Sequence, residues 1–242
     1  MAFLAKPRKL PDMYLCGNPL PWVDNLKHLG TMVTNKIDGG QLDIKQKIAR
    51  YIDKNCTLNQ EFHYTHPTTK ISLNSIYNCH FSGSQLWNLF SQGAGSFEGS
   101  YNRSVKIMAD LPYQTHRYMI EPLTGDKSMK LKLIKDYLGF ISRIRTSSKP
   151  VLKQLYSLAS NDVRTVTGSN LRNILLLTSK THVDELQPSL VNTIEYNKIE
   201  ERDLWRVNLV KELIDLKHGD LVIPDGWTEG ELDMIMNFAC TQ

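Results

Sequence analysis

The rhythm of apolar and polar positions along this chain changes once, near residue 41. Before that point the apolar runs are short and broken by turn formers. Ala2-Phe3-Leu4-Ala5 and Met13-Tyr14-Leu15-Cys16 are interrupted by Lys-Pro-Arg-Lys and Leu-Pro-Asp. Gly17-Asn18-Pro19 is a turn signal, because glycine reaches positive φ and proline fixes its own. Leu20 to Val23 and Leu26 to Thr34 read as strands again, the latter closing at Asn35 to Gly40. A β element of this size is too small to stand alone.

From Gln41 the spacing is helical. Ile44, Ile48 and Ile52 recur every four residues, with Lys45, Lys47, Arg50 and Lys54 between them. The pattern predicts an amphipathic helix with a basic outer face. After His66-Pro67 a second helical pattern passes through Leu73, Ile76, Tyr77, His80 and Phe81 and reaches toward Trp87 and Phe90. Gly93 to Gly99 reads as a loop, and Tyr101 to Ala109 as a short helix closed by Leu111-Pro112. The strongest periodicity lies between Ser128 and Thr146, where Ile134, Leu138 and Ile141 share a face with Tyr137 and Ile144 beside it. Further helices are predicted over Val151 to Ala159, Gly168 to Ser179, Asp203 to His218 and Thr228 to Phe238. Gly219 stops the third of these, and Thr228 is placed to cap the last. The expected fold is mainly α, with a small β-rich N-terminal element over residues 1–40. A helical region over 41–92 and further helices over 93–242 follow.

Composition alters this picture little. Hydrophobic residues make up 41% and charged residues 22% of the 242, which is ordinary globular usage. No run of about 18 apolar residues exists, so no membrane partner is expected. Met1 to Leu10 carries Lys6, Arg8 and Lys9 with no apolar stretch behind them, unlike a signal peptide. Cys16, Cys56, Cys79 and Cys240 form no C-x-x-C pair, which predicts free thiols in an intracellular, reducing compartment. Charge is more informative. Up to Pro150 there are 20 Lys+Arg against 11 Asp+Glu, a balance of +9; from Val151 onward 9 stand against 14, a balance of −5. Together these give the +4 of the whole chain. The first half is therefore the one suited to a phosphate backbone.

Candidate chemistry is sparse. Cys56, His63, His66, Cys79 and His80 lie within 25 positions, but their spacing lacks the paired regularity of a structural zinc site. Gly93-Ala94-Gly95 with Gly99 falls short of a dinucleotide fingerprint, since Glu98 stands at the third glycine position. No G-x-S-x-G elbow occurs. Two-metal phosphoryl transfer needs converging carboxylates, and no adjacent aspartate pair occurs anywhere in the chain. No metal, no cofactor and no catalytic residue are therefore expected in the isolated chain.

One segment carries a resemblance. Trp22-Val23-Asp24-Asn25-Leu26-Lys27-His28-Leu29-Gly30 resembles the hydrophobic-x-x-hydrophobic-K-[YH]-L-G strand that follows the polymerase palm in non-LTR (LINE-type) retrotransposon reverse transcriptases. Met1-Ala2-Phe3-Leu4 looks like the second half of that family's K-T-K-x-M-x-F strand. The match continues in order: Ile44 to Ile52 is similar to the first thumb helix, and Ile76-Tyr77 through Leu86-Trp87 to an L-Y-x-x-x-x-P-x-x-x-Y-G-x-x-x-W segment. Phe81 and Gly83 stand there where Pro or Tyr-Gly are usual. Asn102-Arg103-Ser104-Val105-Lys106 and Leu111-Pro112-Tyr113-Gln114-Thr115-His116-Arg117 resemble the family's N-x-x-x-[RK]-x-x-x-x-L-P-x-x-T-x-R stretch.

The resemblance covers roughly residues 1–125 and implies a thumb-like helical region that grips a primer–template duplex. The catalytic aspartates, with their Mg²⁺, would lie in a palm and fingers region upstream of Met1. On that reading Lys27, His28, Lys45, Lys47, Arg50 and Lys54 contact the phosphates of an RNA or RNA–DNA duplex, while Leu29 and Gly30 serve packing and close backbone approach. Two alternatives stay open: a stand-alone helical RNA or RNA–DNA binding module, and a protein-interaction domain using the acidic second half.

Overall fold

The computed structural model describes residues 12–34, 40–78, 81–125, 127–194, 200, 203–219 and 228–241. The chain is mainly α, with two β-hairpins ahead of a helical bundle, as the periodicity predicts. Strand β1 (Met13–Leu15) pairs with β2 (Asn18–Leu20), and β3 (Asn25–His28) with β4 (Thr31–Thr34), both antiparallel. The expected single strand over Leu26 to Thr34 is a hairpin instead. Leu29 and Gly30 have φ of 47° and 80°, and Cys16 and Gly17 have 50° and 80°. Two consecutive positive φ values match the right-handed twist of the flanking strands in a two-residue turn. This also moves the first turn from Gly17-Asn18-Pro19 to Cys16-Gly17, leaving Asn18 and Pro19 in β2. Ala2 to Ala5 and Asn35 to Gly39 lie outside the described residues.

The bundle begins with α1 (Gln41–Glu61) and α2 (Pro67–Asn78). The second helical pattern ends earlier than its apolar spacing suggests. Ile76 and Tyr77 are exposed, and Phe81 and Trp87 reach the core from a non-helical segment with a 3-10 turn at Ser84–Leu86. His80, also in that pattern, lies outside the described residues.

Helix α3 runs over Gln92–Met108 and overturns the expected loop at Gly93 to Gly99. Three glycines in a helix cost about 1 kcal/mol each relative to alanine. The burial of Ala94, Phe97, Tyr101, Val105 and Met108 at i, i+3/i+4 spacing outweighs that penalty. Ser91 caps its N-terminus, accepting from Ala94 N at 3.3 Å. Gly93 lies where α3 meets α1, since a Cβ there would overlap the Gln41 side chain. Gln92, the end of the second segment drawn from sequence, is thus the first residue of a helix packed on α1.

A short α4 (Ile120–Thr124) leads to α5 (Met129–Thr146), capped by Ser128 and buried through Leu131, Ile134, Tyr137, Leu138 and Ile141. Next come α6 (Pro150–Asn161), with no buried residue, and α7 (Val166–Thr178). Helices α8 (Leu204–Lys217) and α9 (Glu229–Thr241) pair at the end. Gly219, at φ 86°, follows α8. Thr228 and Glu231 form a reciprocal cap at the start of α9: Glu231 N donates to Thr228 Oγ1 at 3.3 Å and Thr228 N to Glu231 Oε2 at 2.8 Å. One apolar core runs from Ile44 to Cys240. No described helix is long and apolar enough to cross a membrane.

Candidate functional site

An α-helix advances 100° per residue, so a strict four-residue repeat drifts by about 40° per step. Ile44, Ile48 and Ile52 therefore fan across about 80° of the helix surface, and their burial falls along that fan. Ile44 is fully buried, Ile48 half-buried and Ile52 exposed. The buried stripe of α1 is instead Ile44, Lys47, Tyr51, Asn55 and Leu58, beside Asp43 at the helix start.

The same drift divides the four basic residues. Lys45 and Lys54 are nine positions apart and point to opposite edges of the helix, roughly 180° from each other. Arg50 and Lys54 share one edge, both exposed and without an ion-pair partner among the described residues. Lys47 departs from the expected outer face: only 8% of it is accessible. Its Nζ donates to Asp43 Oδ2 at 2.9 Å and to the Ser82 carbonyl, and lies 5.5 Å from the Trp87 ring centroid. A buried ammonium is tolerable only when it is paired and hydrogen-bonded, and this one is both. Lys47 is therefore a structural cation.

Asp43 organises the region. Its Oδ1 accepts from Met32 N at 2.8 Å, and its Oδ2 from Trp87 Nε1 at 2.8 Å as well as from Lys47. One carboxylate thus joins β4, α1 and the segment after α2. Sequence reasoning passed Asp43 over, although an acid four residues before a base on a helix is a legible pair. The same hairpin leans on the 81–83 segment. Thr31 Oγ1 donates to Ser82 O at 3.3 Å, and a Cβ on Gly83 would overlap the Thr31 side chain.

This anchoring sets the β3–β4 turn beside α1. Leu29, Gly30, Lys47, Arg50, Tyr51, Lys54, Phe81 and Ser82 line one concavity of about 210 Å³, with Arg50 and Lys54 on its α1 side. Leu29 is 86% exposed, so it does not pack as expected. A Cβ on Gly30 would meet nothing within 4 Å, so φ rather than close approach calls for glycine there. Lys27 and His28 are exposed on β3, opposite Met32 and Thr31. The structure thus brings Arg50 and Lys54 to the turn that follows Lys27 and His28, and leaves Lys45 outside this concavity.

Other candidate ligands are dispersed. His63 Nδ1 is 2.9 Å from Gln60 O, and His66 Nδ1 is 2.8 Å from Thr68 Oγ1. Among the described residues no three metal-ligating side chains converge, and Cys79 and His80 lie outside them. Comparison of the chain with protein-family models, with curated proteins and with solved structures returns no match.

Proposed function

We propose that this chain is the post-palm, thumb and downstream helical part of a non-LTR reverse transcriptase, and that it touches the backbone of an RNA or RNA–DNA duplex without polymerising on its own. The observation that carries the reading is the shared concavity of the β3–β4 turn with Arg50 and Lys54. Two exposed cations beside a hairpin turn suit phosphate contact, which positions a duplex without reading its sequence. The exposed apolar side chains of both hairpins and of the stretch between them, among them Tyr14, Leu15, Val23 and Leu26, fit a surface made for a palm and fingers region. The absence of an adjacent aspartate pair supports catalytic silence.

The test is fluorescence anisotropy with a labelled RNA–DNA hybrid at low salt. Arg50→Gln with Lys54→Gln is expected to weaken binding and to flatten the dependence of log K on log salt by roughly 0.7–0.9 for each phosphate no longer neutralised. Lys153→Gln with Lys211→Gln, in the net-acidic half, is expected to leave both nearly unchanged. Equal losses from the two pairs overturn the assignment. Primer extension on an RNA template with dNTPs and Mg²⁺ is expected to give background only.

A further inference from the structure

The outer face of α3 carries a second concavity, separate from the turn-side one. Gly95, Gly99, Arg103 and Lys106 follow one another along that face, and the segment after Pro112 rises beside it with Tyr113 and Arg117. The trough measures about 460 Å³. It exists because two positions lack side chains: a Cβ on Gly95 or Gly99 would meet nothing within 4 Å. Its charge is one-sided. Arg103 is exposed and has no ion-pair partner among the described residues. Lys106 Nζ donates to Tyr113 O at 2.8 Å and sits 5.7 Å from the Tyr113 ring centroid. Burial pushes its ammonium down from its ordinary value, opposed by the nearby Cys240. Arg117 pairs with Glu98, a buried carboxylate beneath the trough. Tyr113 is 75% exposed, an aromatic face held open beside two cations.

We infer that this trough is a binding site for single-stranded nucleic acid, with phosphates on Arg103 and Lys106 and a base stacked on Tyr113. Sites that hold single strands without sequence preference combine a basic groove that tracks the backbone with aromatic rings on which bases stack. An acidic peptide would use the cations but would leave the Tyr113 face without a flat partner. The site lies on another helix from Arg50 and Lys54. It stands whether or not those residues hold a duplex.

The experiment uses the full chain and a labelled oligo-dT or oligo-U, with a blunt RNA–DNA hybrid in parallel. Tyr113→Ala is expected to weaken single-strand binding about fivefold or more. Arg103→Gln is expected to reduce the salt slope by roughly 0.7. Gly99→Glu places a negative charge in the trough at a position with room for it, and is expected to abolish single-strand binding while the helix content by circular dichroism is retained. Hybrid binding is expected to persist in all three. Unchanged single-strand affinity in Tyr113→Ala and Gly99→Glu overturns the inference, as does equal loss of single strand and hybrid, or displacement of the oligonucleotide by poly-glutamate at matched charge. Loss of hybrid binding in the Arg50/Lys54 pair alone bears on the duplex reading and leaves this one intact.

Discussion

The indole Nε1 of Trp87 donates to Asp43 Oδ2 at 2.8 Å, across 44 residues of chain and inside a core where both are nearly inaccessible. That bond, the Lys47 pair on the same oxygen and the Met32 N–H on the other oxygen tie the β3–β4 hairpin, α1 and the Ser82–Trp87 segment together. Asn170, fully buried on α7, extends the tie: its Nδ2 donates to Trp87 O at 2.8 Å, and its Oδ1 accepts from Leu89 N at 3.0 Å.

Removing one partner of a buried pair strands the other's charge. Asp43→Leu is expected to destabilise the fold by about 3–5 kcal/mol, read from urea unfolding, because Lys47 is left buried and unpaired. Asp43→Leu combined with Lys47→Met is expected to recover part of that loss, because Met32 N and Trp87 Nε1 still lack their acceptor. A double variant as unstable as the sum of the two single variants would show that the two side chains act independently, and that Asp43 does not organise this region through Lys47.

The α1 register gives a graded series. Ile44→Asp and Ile141→Asp place a carboxylate in a closed core and are expected to cost several kcal/mol or prevent folding. Ile52→Asp, at an exposed position, is expected to shift stability by no more than about 0.5 kcal/mol. Melting temperatures that rank Ile52 with Ile44 would return α1 to the four-residue stripe.

Helix α3 makes graded predictions for glycines two residues apart. Gly95→Ala has open space and gains helix propensity, so it is expected to stabilise by about 0.5–1 kcal/mol. Gly93→Ala meets the amide end of the half-buried Gln41 side chain, which must turn aside, so it is expected to stabilise less than Gly95→Ala. Thermal unfolding of the two variants decides whether the segment is helical.

The His66 and His218 rings meet edge to face, their centroids 5.8 Å apart, at the junction of α2 and α8. Burial, then the neighbouring His66, pushes the His218 imidazole below its ordinary 6.5. Lys70 and Lys217 add to that lowering, and Asp110 opposes it. A folded state that resists protonation loses stability when the unfolded chain takes up the proton. Stability from this group is therefore full above about pH 6.5 and declines as pH falls through that value toward the lowered one. Urea midpoints at pH 7.5 and 5.5 are expected to differ in the parent and to converge in His218→Gln. A parent midpoint that is constant across this range contradicts the burial assigned to His218.

What the sequence determined by itself was local. Element identity from α5 onward, the α5 boundary at Ser128, the Thr228 cap and the Gly219 stop were legible, because capping chemistry and a wide apolar stripe act within a few residues of chain. Three matters only tertiary structure decided. The glycine-rich stretch 93–99 became helix because Phe97, Tyr101 and Val105 found a core to enter, a gain invisible to propensity. Leu29 took a positive φ because the hairpin twist required it. Lys47, read as a surface cation, went inside because Asp43, the Ser82 carbonyl and the Trp87 ring surround its ammonium. Two of those three partners lie 35 or more residues away. Which basic residues face solvent together depends on where the core falls around α1, and that is set by helices the local pattern does not see.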